Sequence, residues 1–565
     1  MRIAMNSHAI LNIPAGNARL SQLLADELSI SPVLARVLVN RGITTVAQAD
    51  RFLHVSLEHL NDPFAFSSMK DAVSLVKRAV ERKQRIFVHG DYDVDGVTSL
   101  ALLETVLKAM GADVEHHIPH RLKEGYGLHK TIPRRAHEKK VGLFITADCG
   151  TNSEGEIAEL RRLGMDVLIT DHHEPAGRHA ASAASVVINP KINGCGYPFR
   201  DLAGVGVAYK LCQALVGSRL EEDLDLVALG TIADAVPLID ENRVIAREGL
   251  QCIAGTRKVG LRTLIESSGM KNKILRPDAV SFILGPRINA SGRMDTADVA
   301  FNLLASVHAA EAQGFARELE AFNRQRQRVE SSILEEAQAM IGREVNFKDH
   351  QIIVLAKEGW HLGVLGIVAS KLVDRFNRPV ILISMNEHSC RGSGRSVRNF
   401  HLFNGIASCG DLLDNFGGHQ HAIGMVIPRH NIDIFKSRIN AYAKESLFLE
   451  DLLPCISVDM ELSFSDITEA LVRELDGLAP FGIGNPKPLF LTRDLRLKGQ
   501  PRILSRDTLK FWVTDGRITH QAIGFGMGKF MEKLCGVESF DLAYNPRIDS
   551  WLGQESMILE VEEIL

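Results

Sequence analysis

Between residues 68 and 250 the chain alternates two textures. MKDAVSLVKRAVERK, TSLALLETVLKAMGA and EGEIAELRRLG space their apolar residues at helical intervals. Around them lie short continuous apolar runs: RIFVHG, VGLFITADCG, DVLITDHH and SVVINP. Runs of that length without polar alternation are strands buried on both faces, and interleaved with helices they predict a parallel sheet covered on both sides. LVALGTIADAVPL closes this region. Farther on, ARELEAFNRQRQRVESSILEEAQAMI contains no Gly or Pro, and predicts one long helix connecting two lobes. HQIIVLAKEGW, GIVASKLVDRF and RPVILISMN then give a second strand–helix–strand region. From about residue 455 the texture shifts to short strands and turns (PLFLTRDLRLKG, TLKFWVTDG, THQAIGFGM, SMILEVEEI), the pattern of a small β-barrel. The expected fold class is α/β. A helical N-terminal cap spans 1–65, a parallel-sheet domain 66–300, a connector helix 301–345, a second α/β domain 346–454 and the barrel 455–565.

Composition changes this picture little. At 565 residues the chain exceeds the roughly 250–300 that one core supports, so several domains are required. Hydrophobic residues at 45% and charged residues at 24% are ordinary for soluble globular protein. A formal net charge of -4 argues mildly against a nucleic-acid partner for the chain as a whole, so such a function needs cations concentrated locally. The eight cysteines form no CxxC pair, which argues against a zinc ribbon. The start, MRIAMNSHAILNIPAGN, does not read as a signal peptide, and no apolar stretch reaches the roughly 20 residues of a membrane span. The expected compartment is the cytoplasm.

The candidate chemistry gathers at strand ends, where open parallel sheets bind their ligands. RIFVHG runs into His89, Asp91, Asp93 and Asp95; the second run ends in Asp148 and the third in Asp171, His172 and His173. TIADAVPL, read as the end of a further strand, adds Asp234. Carboxylates this dense cannot all stay ionised without a counter-charge, and a divalent cation is the simplest one. Carboxylate oxygen with some imidazole suits Mn²⁺ or Mg²⁺. The ligand supply exceeds what one catalytic ion takes and matches two, the clamp for in-line displacement at phosphorus. Taken singly, each motif has a bland alternative in a solvated loop, a calcium turn or a chance His pair. Their conjunction at one sheet edge argues for a site.

HGDYDVDG, TADCGTN, TDHHEP and GTIADAVPL resemble, in order and spacing, the motifs of the DHH phosphoesterase superfamily. IPHRLKEGYGL, DLAGVGVAYKL, LGPRINASGRM, RGSGRSV, FGGHQHAIGM and APFGIGNPKPLF extend the resemblance over most of residues 80–490, and the whole series is similar to the RecJ family within it. The resemblance implies a DHH domain joined by the long helix to a DHH-associated domain, with a C-terminal OB-type barrel. It implies two divalent ions, Mn²⁺ or Mg²⁺. His89, Asp93 and Asp148 would hold one, and Asp95, Asp148, His172 and Asp234 the other. Asp91 is left as a base behind the ligands or an occasional ligand. Asp171 is expected to orient an imidazole, and His173 to face the scissile phosphate as donor or acid.

For the substrate, Arg391, Ser393, Gly394, Arg395 and Ser396 of RGSGRS combine guanidiniums, hydroxyls and backbone amides suited to phosphate. Gly417, Gly418 and His419 are read as a second Gly-rich turn at the substrate, with plain chain reversal as the alternative. Arg287, Asn289 and Arg293 are expected to face the cleft, and Arg121 with Lys123 to contact the strand backbone, against the alternative of a solvated face. Phe511, Trp512 and Trp551 are available for base stacking, one of the adjacent Phe-Trp pair pointing inward.

The activity implied is a single-strand-specific 5′→3′ exonuclease that releases 5′-mononucleotides by two-metal hydrolysis, in DNA repair and recombination. Single-stranded DNA is the substrate, a helicase and a single-strand-binding protein are the implied partners, no membrane is involved, and the chain is expected to be a monomer. Two rivals stand beside this. One is a phosphodiesterase for short oligonucleotides or cyclic dinucleotides, or a pyrophosphatase; the length and barrel tail argue against it. The other is a non-catalytic DNA-binding scaffold on the same fold; the full set of ligand types argues against that.

Overall fold

A computed structural model of the chain describes residues 10–175, 183–386, 390–551 and 554–565. The chain divides into two compact units. One comprises Ser56–Leu452 with Gly482–Gly484; the other takes the chain up to Val55 together with Leu453–Phe481 and Asn485–Leu565.

The larger unit opens on the parallel sheet. Its strands are β1 (Arg85–Gly90), β2 (Val114–His117), β3 (Val141–Ala147), β4 (Asp166–Thr170) and β5 (Val186–Ile188), in spatial order β2-β1-β3-β4-β5. All neighbours are parallel. The order reverses between β1 and β3, which makes the carboxyl ends of these two strands the switch point where such sheets hold ligands. β2 carries no sequence signal, because VEHH is short, polar and only half-buried. Between β1 and β2 runs α1 (Val94–Ala109), whose residues are apolar all round and nearly all buried, as expected of a helix inside a core. α2 (Gly204–Val216) and α3 (Leu224–Ala233) pack beside it. α2 is anchored by the fully buried pair Lys210–Glu241 at 2.6 Å, whose Glu241 carboxylate also accepts from the Tyr197 hydroxyl and the Asn61 amide. Removing one partner of such a pair strands the other charge in the core, at a cost of about 3–5 kcal/mol.

α4 (Gly285–Met294) leads toward the connector α5, a single helix over Ala309–Glu344. The second sheet follows: β6 (Ile353–Glu358), α6 (Leu362–Phe376), β7 (Val380–Met385), β8 (Cys390–Arg395), β9 (Asn415–His419) and β10 (Ala422–Ile427), in spatial order β9-β10-β8-β7-β6. Only β6 and β7 are parallel; the rest pair antiparallel. The two Gly-rich stretches are therefore strands rather than turns. Their glycines make room for neighbours: a Cβ on Gly392 or Gly394 would lie 2.9 Å from the side chains of Met425 or Ile423. No described helix is long and apolar enough to cross a membrane.

In the other unit, β11 (Phe490–Leu497), β12 (Arg502–Leu504), β13 (Thr508–Thr514), β14 (Thr519–Gly524), β15 (Phe540–Trp551) and β16 (Gln554–Ile564) form a strongly curved sheet. The pairing of β11 with β13 closes it into a barrel. Helices Ala18–Leu28, Pro32–Asn40 and Val46–Leu53 share its core, Leu34, Leu38 and Ala49 clustering with Phe490, Phe511 and Tyr544. APFGIGNPKP contributes to this joint. Asn485 donates to the carbonyls of Leu478 and Pro480 and accepts from Arg41, which also pairs with Asp459 at 3.2 Å. Phe511 is buried and Trp512 is 46% exposed, as strand alternation requires. The Trp551 side chain lies outside the described residues.

Candidate metal centre

His89 lies in the last turn of β1's ladder, Asp148 follows β3, and Asp171–His173 follow β4, so three strands of one sheet deliver their groups to the switch point. Asp234 arrives differently. It stands at the carboxyl end of α3, not at a strand end, since the apolar run LVALGTIA forms a helix. A short, continuously apolar segment does not distinguish the two by periodicity.

The polypeptide is shaped closely around these groups. Asp93 caps α1, its carboxylate accepting the Gly96 amide at 3.1 Å. Asn289 of α4 accepts the Val94 amide and so ties the acidic loop to the second helical layer. Both oxygens of Asp95 are occupied by the amides opening α2, Gly204 at 2.6 Å and Val205 at 2.7 Å. Asp148 takes a left-handed backbone conformation, φ 62°, which is costly for a residue with a side chain and recurs where function holds the strain. A Cβ on Gly204 would come within 2.5 Å of the Asp148 carboxylate, so only glycine permits this approach.

Three sets of ligand atoms lie within 4.8 Å of one another: Asp91, Asp93 and Asp148; Asp148, His172 and His173; and Asp95, His172 and Asp234. His172 Nε2 stands 3.2 Å from Asp148, 3.6 Å from Asp234 and 3.8 Å from Asp95. Asp148 joins two of the sets. Asp91 completes the set containing Asp93, whereas His89 lies outside all three. His89 is fully buried; its Nε2 bonds the Gly127 carbonyl at 3.3 Å, and its Nδ1 has no hydrogen-bond partner.

The electrostatics are those of buried carboxylates crowded against one another. Burial, then the charge of neighbouring carboxylates, holds Asp91, Asp148 and Asp234 well above the usual range and raises Asp95 to about 7. Burial lowers His172 to about 3 and His89 to about 3, keeping both rings neutral and able to donate a lone pair. One oxygen each of Asp91 and Asp148 is buried without a hydrogen-bond partner among the described residues. Unpartnered carboxylate oxygens beside neutral imidazoles fit divalent cations of the Mn²⁺ or Mg²⁺ kind.

Asp171 serves a different end. It accepts the amides of Thr151, His172 and His173 and bonds His173 Nδ1 at 2.7 Å. Burial works to raise its pKa, but the bond and charge of His173 outweigh it and leave Asp171 below the usual range. Burial likewise works against a proton on His173, and the same bond outweighs it and raises that pKa.

Cations gather around Arg293 and Arg395. Arg293 is lowered to about 9 by burial and then by Arg121, Arg326 and Arg395. Arg395 is lowered by burial and Arg121. Among the described residues they contact neutral groups: Arg293 the Gly363 carbonyl, Arg395 Ser393 and the Gly394 carbonyl, and Arg121 the face of the Tyr92 ring. Guanidiniums held together with neutral partners suit an anion. Arg391, Ser393 and Arg395 lie at alternate positions of β8, and Gly417 and Gly424 stand bare in the rows beside Ser393. Gly418 has φ 134°, and a Cβ there would meet the Ala422 carbonyl at 2.3 Å. His419 is exposed, with His173 and Lys191 close enough to lower its pKa after burial and His421.

Three expected substrate residues are committed elsewhere, Asn289 to the Val94 amide as above. Arg287 bonds Glu320 at 2.8 Å and the Ile283 carbonyl at 2.7 Å, bracing α4 against α5. Ser396 bonds the Phe400 carbonyl and closes a turn. Sequence reasoning does not single out Tyr126, whose hydroxyl reaches His173, or Arg326, held on α5 by Asn323 and Glu330. The only hint of Tyr126 is its place between two glycines. Arg326 sits unmarked among the polar residues of the connector.

Comparison with known proteins bears on this geometry. The DHH family N-terminal domain matches residues 85–231, the DHHA1 domain 349–445 and the RecJ OB domain 458–563. The single-stranded-DNA-specific exonuclease RecJ of Bacillus subtilis (strain 168) is 39% identical over 543 residues, covering 96% of this chain and 69% of that protein. The protein of the same name from Escherichia coli (strain K12) is 31% identical, covering 95% and 96%. The crystal structure of RecJ from Thermus thermophilus in complex with Mn²⁺ superposes with a TM-score of 0.85 at 29% identity, covering 99% of this chain and 80% of that one.

Proposed function

The chain belongs to the RecJ family and is a metal-dependent exonuclease of single-stranded DNA; we propose that it works from the 5′ end, releases 5′-mononucleotides, and uses Asp148 as the ligand shared by two divalent cations. The observation that carries the chemistry is the convergence of Asp91, Asp93, Asp95, Asp148, His172 and Asp234 at one place. Asp91, Asp93 and Asp148, with His89 beside them, would hold one cation; Asp95, Asp148, His172 and Asp234 would hold the other. When bound, such a pair offsets phosphate charge and makes a water acidic enough to attack at neutral pH.

The chain's own groups do the rest. The opening of α2 fixes Asp95 through two amides, and Asp171 fixes His173. His173 gives its proton to the leaving 3′ oxygen. Arg121, Arg293 and Arg395 hold backbone phosphate by charge-assisted bonds, over the bare glycine surface of β9 and β10. Trp512, exposed on β13, offers a base-stacking face. The 5′ polarity follows from family membership. A helicase that supplies unwound strand and a single-strand-binding protein are the fitting partners of a monomer acting in the cytoplasm in repair and recombination.

The test is degradation of internally labelled single-stranded DNA blocked at the 5′ or the 3′ end, in Mn²⁺, Mg²⁺ or chelator. Mononucleotide release that stops with the 5′ block and with chelator is expected. Release that stops only with the 3′ block would overturn the polarity. Release confined to dinucleotides would favour a small phosphodiesterase.

A further inference from the structure

We propose that Tyr126 is a positioning residue for the reaction, aiming the His173 ring so that its Nε2 faces the leaving oxygen. The inference rests on the exonuclease reading above. The backbone of His173 is held at both ends, its amide donating to Asp171 and its carbonyl accepting from Asn189 at 2.9 Å. The ring has less support. Nδ1 bonds Asp171 at 2.7 Å, and a ring held at one atom can still pivot about that bond.

The Tyr126 hydroxyl supplies the second point. It lies 3.0 Å from both ring nitrogens, and the two rings meet edge to face at 5.4 Å. An oxygen at equal distance from both nitrogens lies over the imidazole face rather than in its plane, so the hydroxyl braces the ring while Asp171 holds Nδ1 and the in-plane Nε2–H stays open to the leaving oxygen.

The loop carrying Tyr126 is built to hold it there. Gly125 and Gly127 flank it with φ 85° and 79°, a conformation that glycine alone adopts freely. Glu124, just before, accepts the His120 amide at 2.6 Å. The Gly127 carbonyl, just after, bonds His89. The hydroxyl thus stands between two fixed points on a residue that is otherwise 53% exposed. An exposed aromatic with its polar end turned onto a reacting group is poorly explained by packing alone.

The step it serves balances as follows. Water oxygen forms a bond to phosphorus and gives its proton to solvent. The P–O3′ bond breaks, its electron pair goes to O3′, and O3′ takes the proton from His173 Nε2. Tyr126 exchanges no atoms; it keeps Nε2 on the line to O3′.

This yields a test that a structural role does not pass. Single-turnover cleavage would be measured on a 5′-phosphorylated oligonucleotide, and on the same strand with sulfur replacing the bridging O3′ of the first linkage. Thiolate leaves without a proton. Tyr126→Phe should slow the oxygen strand about tenfold, leave the sulfur strand within about twofold of wild type, and leave KM unchanged. Tyr126→Leu, which also removes the ring, should show the same selectivity with a further loss common to both strands. Mn²⁺ binding should be unaltered in both variants, confirming that His89 is undisturbed. Equal slowing of both strands, or no slowing of the oxygen strand by Tyr126→Phe, would overturn the proposal. Wild-type protein inert on both strands would instead remove the exonuclease reading, and this one with it.

Discussion

The two sheets of the larger unit handle charge in opposite ways. In the parallel sheet the strands themselves are largely apolar, and most of the functional groups sit just past their carboxyl ends, where the ladder stops. In the mixed sheet the groups lie within a strand, as Arg391, Ser393 and Arg395 alternate along β8 with glycines. The first arrangement buries acids so deeply that their pKa values rise, which primes the pocket for cations. The second sets guanidiniums and a hydroxyl along a strand beside the bare Gly417 and Gly424, which suits a polyanion of variable sequence. A centre that must fix ions is built at chain turns, where backbone amides can be aimed.

This contrast can be broken in order of effect. Asp148→Ala should lower kcat by at least about 10³-fold, more than about 4 kcal/mol at about 1.36 kcal/mol per decade, while circular dichroism and Tm stay near wild type. Gly204→Ala places a methyl against the Asp148 carboxylate without touching substrate, and should cost about 10²-fold in kcat with KM steady. Arg395→Ala should act on the other sheet's contribution, raising KM about 10- to 100-fold and lowering the salt dependence of binding by about 0.7 in log–log slope, one phosphate contact. Arg287→Ala removes a guanidinium tied to Glu320 rather than to the cleft. It should leave KM within about twofold and cost only about 1 kcal/mol of stability by urea titration. If Arg287→Ala instead matched Arg395→Ala, the division between bracing and binding guanidiniums would fall.

Much of this is legible in the sequence, and the gaps have physical causes. Buried parallel strands and amphipathic helices announce themselves by periodicity, so β1, β3, β4 and the long α5 stand where the pattern puts them. β2 is silent because an edge strand of four mostly polar residues has no apolar period. Asp234 reads as a strand end because an apolar run of eight residues serves a strand or a buried helix equally. β8 and β9 look like turns because glycine normally breaks strands; here it fits between packed side chains or leaves the face bare. β15 escapes sequence reasoning because FDLAYNPRIDSW contains Asn545-Pro546, a turn signal, in a strand long enough to absorb it. Within the site, acids and imidazoles can be nominated from type and order alone. Which arginine braces and which binds depends on partners remote in sequence, such as Glu320, and no local pattern reports that.

The most direct test of the central claim is Mn²⁺ binding to the chelator-stripped full chain, counted by titration calorimetry for wild type and Asp148→Ala side by side. Two ions per wild-type chain are expected, with affinity at both sites weakened at least about tenfold when the shared carboxylate is removed. A single ion per chain, or two ions bound equally well without Asp148, would contradict a centre organised around that residue.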